Sequence, residues 1–332
     1  MNNKVGIPQG LLFYEYYPLW KEFFNELGVE VLLSTKTNKK ILDNGVSNCV
    51  DDACLPVKVF HGHVIDLKDK VDFLFIPKII SVKKREFECP KILGLPEMVS
   101  NTIKDLPPII DPEINFWKSE KNISDSITEL GKFFNVNKSK TKKAYKKAYN
   151  KYYEVRRHLN SHVIPIDAIK IYNKLLQNTN FKKKDRLNIL LLGHPYNIYD
   201  EYISMNIIEK MVKQDINLIT SDMVDTKKIN YYSKKIPKRM FWTAGRRLIG
   251  AAYSLLEEEK VNGIIYISSF GCGLDSILID LVQRKANYKN IPFTLLTIDE
   301  HTGEAGINTR IEAFIDMMKW RLNDENNIST HG

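Results

Sequence analysis

The residues with most chemistry to offer are four cysteines: Cys49, Cys54, Cys89 and Cys272. Cys272 sits between Gly271 and Gly273, where the β-branched run "GIIYISS" gives way to a helical pattern. Cys54 stands just before a helix whose first turn holds Pro56, a position at which a missing N–H is harmless. Cys89 precedes Pro90 in an irregular stretch after the strand pattern "FLFIP". A thiol at a helix N-terminus has its thiolate favoured by free amides and the helix dipole. Thiolates are ligands for iron–sulfur clusters and other soft-metal sites. Two readings are open for Cys54, Cys89 and Cys272: one assembled metal site, or three small buried hydrophobes. Cys49, near the end of a helical pattern, reads as packing. No C-x-x-C occurs, which removes the usual support for a zinc ribbon or a thioredoxin-like motif.

Other polar groups gather near strand ends. Asp299, Glu300 and His301 follow the strand pattern "PFTLLTI"; Glu300 and His301 are the acid/base candidates, or else hydrogen bonders that tether the loop. Thr309 and Glu312 are spaced as a capping box. His194, Tyr196, Tyr199 and Asp200 follow "NILLLG" and line either a ligand cleft or a domain seam. His61 and His63 are two apart on a helix, so their rings diverge and a shared metal is not expected. Arg246 and Arg247 suit an acidic partner such as a phosphate, or solvent. The lysine and hydroxyl ending of a phosphate loop is absent after "GEAG".

These residues need elements to position them. Residues 1–111 read as strand, helix, strand, helix, helix, strand, an N-terminal parallel α/β domain. The first helix ends at Gly28, Thr37 or Asn38 caps the second, and "VDFLFIPKI" is a strand. "DLPPIIDPEI" is a proline-punctuated boundary. Residues 112–185 form a lysine-rich helical linker, with no strand expected from 119 to 182. Residues 186–332 resume the rhythm as a C-terminal α/β domain, with helices expected over 238–259, over "LDSILIDLVQRKAN" and over "NTRIEAFIDMMKWRLN". The fold class is α/β: two doubly wound parallel-sheet domains of Rossmann or flavodoxin type with the helical segment between them. Ligands in such sheets bind beyond the carboxyl ends of the strands, where the unusual residues fall.

The chain has 332 residues, 43% hydrophobic and 27% charged, ordinary for a soluble globular protein with two cores. No apolar run approaches the roughly 20 residues of a membrane helix, and no export signal is seen, which reads as cytoplasmic. Much of the net charge of +9 lies in residues 138–157. Ala144, Tyr145, Ala148, Tyr149 and Tyr152 recur there at helical spacing and leave the lysines outside. That reads as a solvated helix face, not a nucleic-acid stripe.

Seven stretches, "GIPQGLLFYEYYPLW", "DDACLPVKVFHGHV", "FECPKILGLPEM", "GHPYNIYDEY", "FWTAGRRLIGAA", "SSFGCGLDS" and "TIDEHTGEAGINTRIEAF", resemble the acyl-CoA dehydratase activase-related proteins. These are relatives of 2-hydroxyacyl-CoA dehydratase and benzoyl-CoA reductase subunits. The resemblance implies a 4Fe-4S cluster held between two α/β domains by Cys54, Cys89 and Cys272, with a non-protein ligand or Cys49 on the fourth iron. It further implies a low-potential electron supplied by a separate ATP-dependent activator protein and passed to an acyl-CoA substrate or a partner, in an anaerobic setting. In the dehydratases that electron allows elimination through a ketyl radical. No nucleotide signature of the activator type is present, and a double-cubane cluster would need more cysteines than four. A homodimer or a heterodimer is compatible with the resemblance. The reading from another class is a non-redox binding or scaffold protein with an acyl-CoA or nucleotide-like ligand in the interdomain cleft.

Overall fold

The computed structural model describes residues 3–117, 120–159, 187–214 and 216–329. It is a mixed α/β structure built on two four-stranded sheets in which all paired neighbours run parallel. The first sheet contains β1 (Lys4–Ile7), β2 (Glu30–Leu33), β3 (Phe73–Phe75) and β5 (Ile109–Ile110) in the order β2-β1-β3-β5. The second contains β7 (Asn188–Gly193), β8 (Asn217–Thr220), β9 (Gly263–Ser269) and β10 (Phe293–Ile298) in the order β8-β7-β9-β10. Counted along the chain, both sheets therefore read second, first, third, fourth. A short parallel pair, β4 (Lys78–Ser81) with β6 (Glu113–Asn115), extends the first half.

Local sequence explains the first helices. α1 (Phe13–Leu27) ends at Gly28, whose φ of 77° is the left-handed conformation of a glycine C-cap. Its Trp20, Phe23 and Phe24 pack with Phe75 of β3 and with Ala144 and Ala148 of α7 (Lys138–Leu159). The lysine-rich stretch thus buries its alanine stripe, with Lys142, Lys143 and Lys146 exposed. α2 (Lys39–Ser47) starts at Asn38, whose Oδ1 accepts from the Ile41 amide at 3.1 Å. α2 crosses α3 (Leu55–Leu67) at Gly45 and Gly62 so closely that a methyl on either would overlap a backbone carbonyl of the other helix.

α4 (Pro90–Leu93), α5 (Leu95–Thr102) and α6 (Glu120–Phe133) complete the described part of the first half. In the second half come α8 (Pro195–Ile198), α9 (Ile207–Lys213), a 3₁₀ turn at Ser221–Met223, α10 (Thr226–Tyr232), α11 (Thr243–Glu257), α12 (Gly273–Tyr288) and α13 (Glu304–Ser329). β7 and β9 are buried on both faces, as parallel central strands must be. Their apolar cluster takes in Ile41, Leu55 and Val59 from α2 and α3, so the halves share a core.

Several local expectations need correction. The single strand expected over 71–79 is split into β3 and β4, because Pro77 has no N–H for a ladder. Thr309 caps nothing: α13 already starts at Glu304, and the Thr309 hydroxyl donates back to the Ala305 carbonyl at 3.1 Å. Residues 238–242 are outside α11, and α10 lies in a stretch where no helix is expected from sequence. Within 112–185 the described residues form β6, α6 and α7; residues 160–186 lie outside the described residues.

Candidate functional site

Three of the four cysteines occupy the same kind of position. Cys54 is the N-cap of α3, Cys89 of α4 and Cys272 of α12, and none uses its side chain to cap a helix amide. In two of the three, proline sits in the first turn, where it removes an amide that would have no partner. The backbone instead binds each cap in place. The Cys54 and Cys89 carbonyls accept from Val57 and Ile92, both at 2.9 Å, and the Cys272 carbonyl from Ser276 at 3.2 Å. Gly271, at φ 75°, makes the reversal between β9 and α12 that a side chain would strain.

The three thiols lie within one another's electrostatic reach. Burial pushes the Cys54 thiol up to about 11, the neighbouring Lys91 opposes this, and Cys272 and Cys89 add to it. Tyr196, half-buried, feels Cys272, Cys54 and Cys89 together. Two further links hold the assembly. Lys91 Nζ donates to the Asp52 carbonyl at 2.9 Å, joining the Cys89 helix to the Cys54 loop. The Phe87 amide donates to the Phe241 carbonyl at 2.8 Å and the Thr243 amide to the Phe87 carbonyl at 2.9 Å, pinning the approach to Cys89 onto the second half. Cys49 follows α2 and packs on the same apolar cluster as Cys54; burial raises its thiol, and Lys58 and Lys91 oppose this.

The β7–β9 switch point supplies the other side. His194, directly after β7, stacks on Tyr196 with ring centroids 4.9 Å apart and planes 5° from parallel. Its Nε2 is 3.2 Å from Asp275 Oδ1, a charge contact rather than a well-aligned hydrogen bond. Burial acts to lower the His194 pKa, but the Asp275 carboxylate and the Cys272 sulfur raise it to about 10, so the buried ring is an imidazolium. Asp275 accepts from the Tyr266 hydroxyl at 2.7 Å and the Ser268 hydroxyl at 2.9 Å, which holds it ionised despite burial. One ligand atom each from His194, Cys272 and Asp275 lies within 4.8 Å of the others, a grouping that could hold a metal ion only if the ring gives up its proton.

Asp275 is the residue that sequence reasoning missed. Its only signal is a carboxylate three positions after Cys272, in the first turn of the helix.

The remaining candidates separate. Glu300 binds Lys58 Nζ through Oε1 at 2.5 Å, and this bond holds its carboxyl below the usual range. His301 is exposed, and its amide donates to Asp299 Oδ1 at 2.9 Å, so it sits in a tethered loop. Tyr199 and Asp200 turn away from the cysteines. The Tyr199 hydroxyl donates to Asp222 at 2.8 Å, and Asp200 accepts from the Thr37 hydroxyl across the seam. His61 and His63 diverge as expected, toward the Val57 carbonyl and toward Ser34 and Thr37. Arg247 meets Glu15 at 2.7 Å and Arg246 Nε lies 2.8 Å from Glu86, so protein carboxylates are their acidic partners.

No helix among the described residues is long and apolar enough to cross a membrane. No curated protein matches the chain. The family model described as "CoA enzyme activase uncharacterised domain (DUF2229)" matches residues 4–224, a span that contains Cys54, Cys89 and His194 and stops short of Cys272, Asp275 and Glu300. With about two thirds of its length matched, the chain belongs to the CoA enzyme activase uncharacterised domain family.

Proposed function

We propose that this chain is an iron–sulfur redox protein. In this reading a 4Fe-4S cluster is held by Cys54, Cys89 and Cys272 between two doubly wound α/β domains, residues 1–111 and 186–332. Low-potential electrons come from an ATP-dependent activator in the cytoplasm and go to an acyl-CoA substrate or a partner. The observation that carries the reading is that three helix N-caps are cysteines with mutually interacting thiols.

The donor set suits the group. Three soft sulfur ligands from three separate turns would hold three irons of such a cluster, leaving the fourth to Cys49 or a non-protein ligand. None is spent on capping, and no disulfide joins them. When bound, the cluster would supply one-electron transfer at a potential set by its surroundings.

The protein's own residues would do the rest. The first turns of α3 and α12 point their partly positive ends at the sulfurs, which favours thiolate. The His194 imidazolium lies against the Cys272 sulfur and offsets negative charge there, and Asp275 fixes the ring. Tyr196 covers the imidazole face and keeps water from that side.

The test is iron and acid-labile sulfide content, with EPR of the reduced protein, after strictly anaerobic purification. About four of each per chain is expected, lost in Cys54→Ala, Cys89→Ala and Cys272→Ala and largely kept in Cys49→Ala. Equal iron in all four variants would overturn the assignment.

A further inference from the structure

A second polar cleft, of about 360 Å³ and with no cysteine in its lining, opens at the carboxyl end of β8. Four arginines line it, Arg156, Arg157, Arg246 and Arg247, against one lining carboxylate, Asp222. The inner three have acidic partners. Arg156 and Arg247 approach Asp222 Oδ1 at 3.5 and 3.9 Å, Arg247 also holds Glu15, and Arg246 pairs with Glu86. Arg157, on the rim, has no acidic partner among the described residues. Glu15 and Glu86 are not among the lining residues, so the cleft itself faces guanidinium groups.

Three buried polar atoms of lining residues make no hydrogen bond among the described residues: Ser221 Oγ, Arg247 Nε and Arg246 Nε, the last still in charge contact with Glu86. Ser221 is 1% exposed, so water from the open surface does not serve it. A buried hydroxyl without a partner is costly, and such groups in a folded protein call for an explanation. The first turn of α11 also borders the cleft through Thr243, adding the positive end of a 15-residue helix. Strand end, helix start, arginine fork and spare hydroxyl are together the chemistry of phosphate recognition.

We infer that this cleft is a binding site for a phosphate-bearing anion, with Ser221 and Arg157 supplying contacts that the protein does not use itself. None of the cysteines lines the site, although the amide of its Thr243 binds the Phe87 carbonyl two residues before Cys89. A phosphate there would accept from the Ser221 hydroxyl and pair with the Arg157 guanidinium. Tyr152 and Tyr153, on the α7 wall, also line the cleft.

The experiment is calorimetric titration of the full chain with inorganic pyrophosphate at fixed ionic strength, repeated with ADP. Saturable pyrophosphate binding is expected, weakened about tenfold in Ser221→Ala and in Arg157→Ala and unchanged in Cys54→Ala. Ser221→Ala should also melt at the same temperature or higher, because it removes an unsatisfied hydroxyl. ADP binding no tighter than pyrophosphate assigns the cleft to the phosphate group alone; binding roughly tenfold tighter assigns a nucleotide. Absence of saturable binding, equal affinity in wild type and both cleft variants, or equal binding of sulfate and chloride would overturn the inference.

Discussion

The Lys58 ammonium and the Glu300 carboxylate meet at 2.5 Å with their side chains only 7% and 20% exposed. Lys58 lies one turn into α3, its amide bonded to the Cys54 carbonyl at 3.3 Å, so the pair ties the Cys54 turn to the loop after β10. Glu300→Gln strands a buried ammonium. Loss of about 2 kcal/mol is expected by urea unfolding, less than the 3–5 of a fully buried pair because Glu300 keeps some solvent. Lys58→Met combined with Glu300→Gln should recover part of it. No change in the unfolding midpoint of Glu300→Gln would show that solvent already screens the pair.

His63 joins the same two halves by another route. Its Nδ1 is 2.9 Å from Ser34 Oγ and its Nε2 2.9 Å from Thr37 Oγ1. Thr37 gives its own proton to Asp200, so Nε2 must donate to Thr37 and Nδ1 must accept from Ser34. Burial holds the ring neutral, with a pKa lowered to about 4. The unfolded chain takes up that proton near pH 6.5, so this stabilisation is complete above pH 6.5 and is lost as pH falls from there toward 4. It amounts to something on the order of 3 kcal/mol. His63→Gln should be less stable at pH 7.5 and show a flatter stability profile between pH 6.5 and 4. Parallel profiles for the two proteins would count against a neutral, locked ring.

Gly62→Ala should be severe. A methyl there overlaps the Ile41 carbonyl oxygen, which is backbone and cannot rotate aside. Loss of about 3 kcal/mol, the upper end for overpacking, is expected, and Gly45→Ala should behave alike because its methyl would meet the Lys58 carbonyl. Gly273→Ala, with open space around the added methyl, is the control. Comparable melting of Gly62→Ala and Gly273→Ala would contradict the close crossing of α2 and α3.

Asp275→Ala removes the acceptor for two buried hydroxyls and the partner of an imidazolium. Its expected cost is about 3 kcal/mol or more, against roughly 1 kcal/mol for Tyr266→Phe, which deletes one donor and leaves the carboxylate served. Chemical denaturation of both variants would measure the difference. Equal losses would mean that Asp275 acts through Tyr266 alone.

Much of this arrangement is legible from residue types. Pro56 and Gly271 announce helix starts because they act locally, through a missing amide and a positive φ. The Cys89 turn is harder, since α4 has only four residues and leaves no periodic pattern. Pro77 splits a strand whose apolar content reads as continuous. The capping box at Thr309 is a true spacing in the wrong place, because α13 runs through Gly306 from an earlier start. Asp275 and the Glu300–Lys58 pair escape notice for another reason: their partners are brought to them by tertiary packing, which no short window of sequence contains.

Cys54 and Cys272 are more than 200 residues apart along the chain, yet their helix starts face one another. During synthesis the first half can leave the ribosome and collapse around β1 and β3 with Cys54 and Cys89 in place, but Cys272 arrives only after the residues of β9. Closing so long a loop is slow, and its entropic penalty must be met before any contact across the seam rewards it. The cysteine group is therefore among the last features of the molecule to exist, and a nascent chain exposes Cys54 and Cys89 to oxidation for longer than the finished protein does.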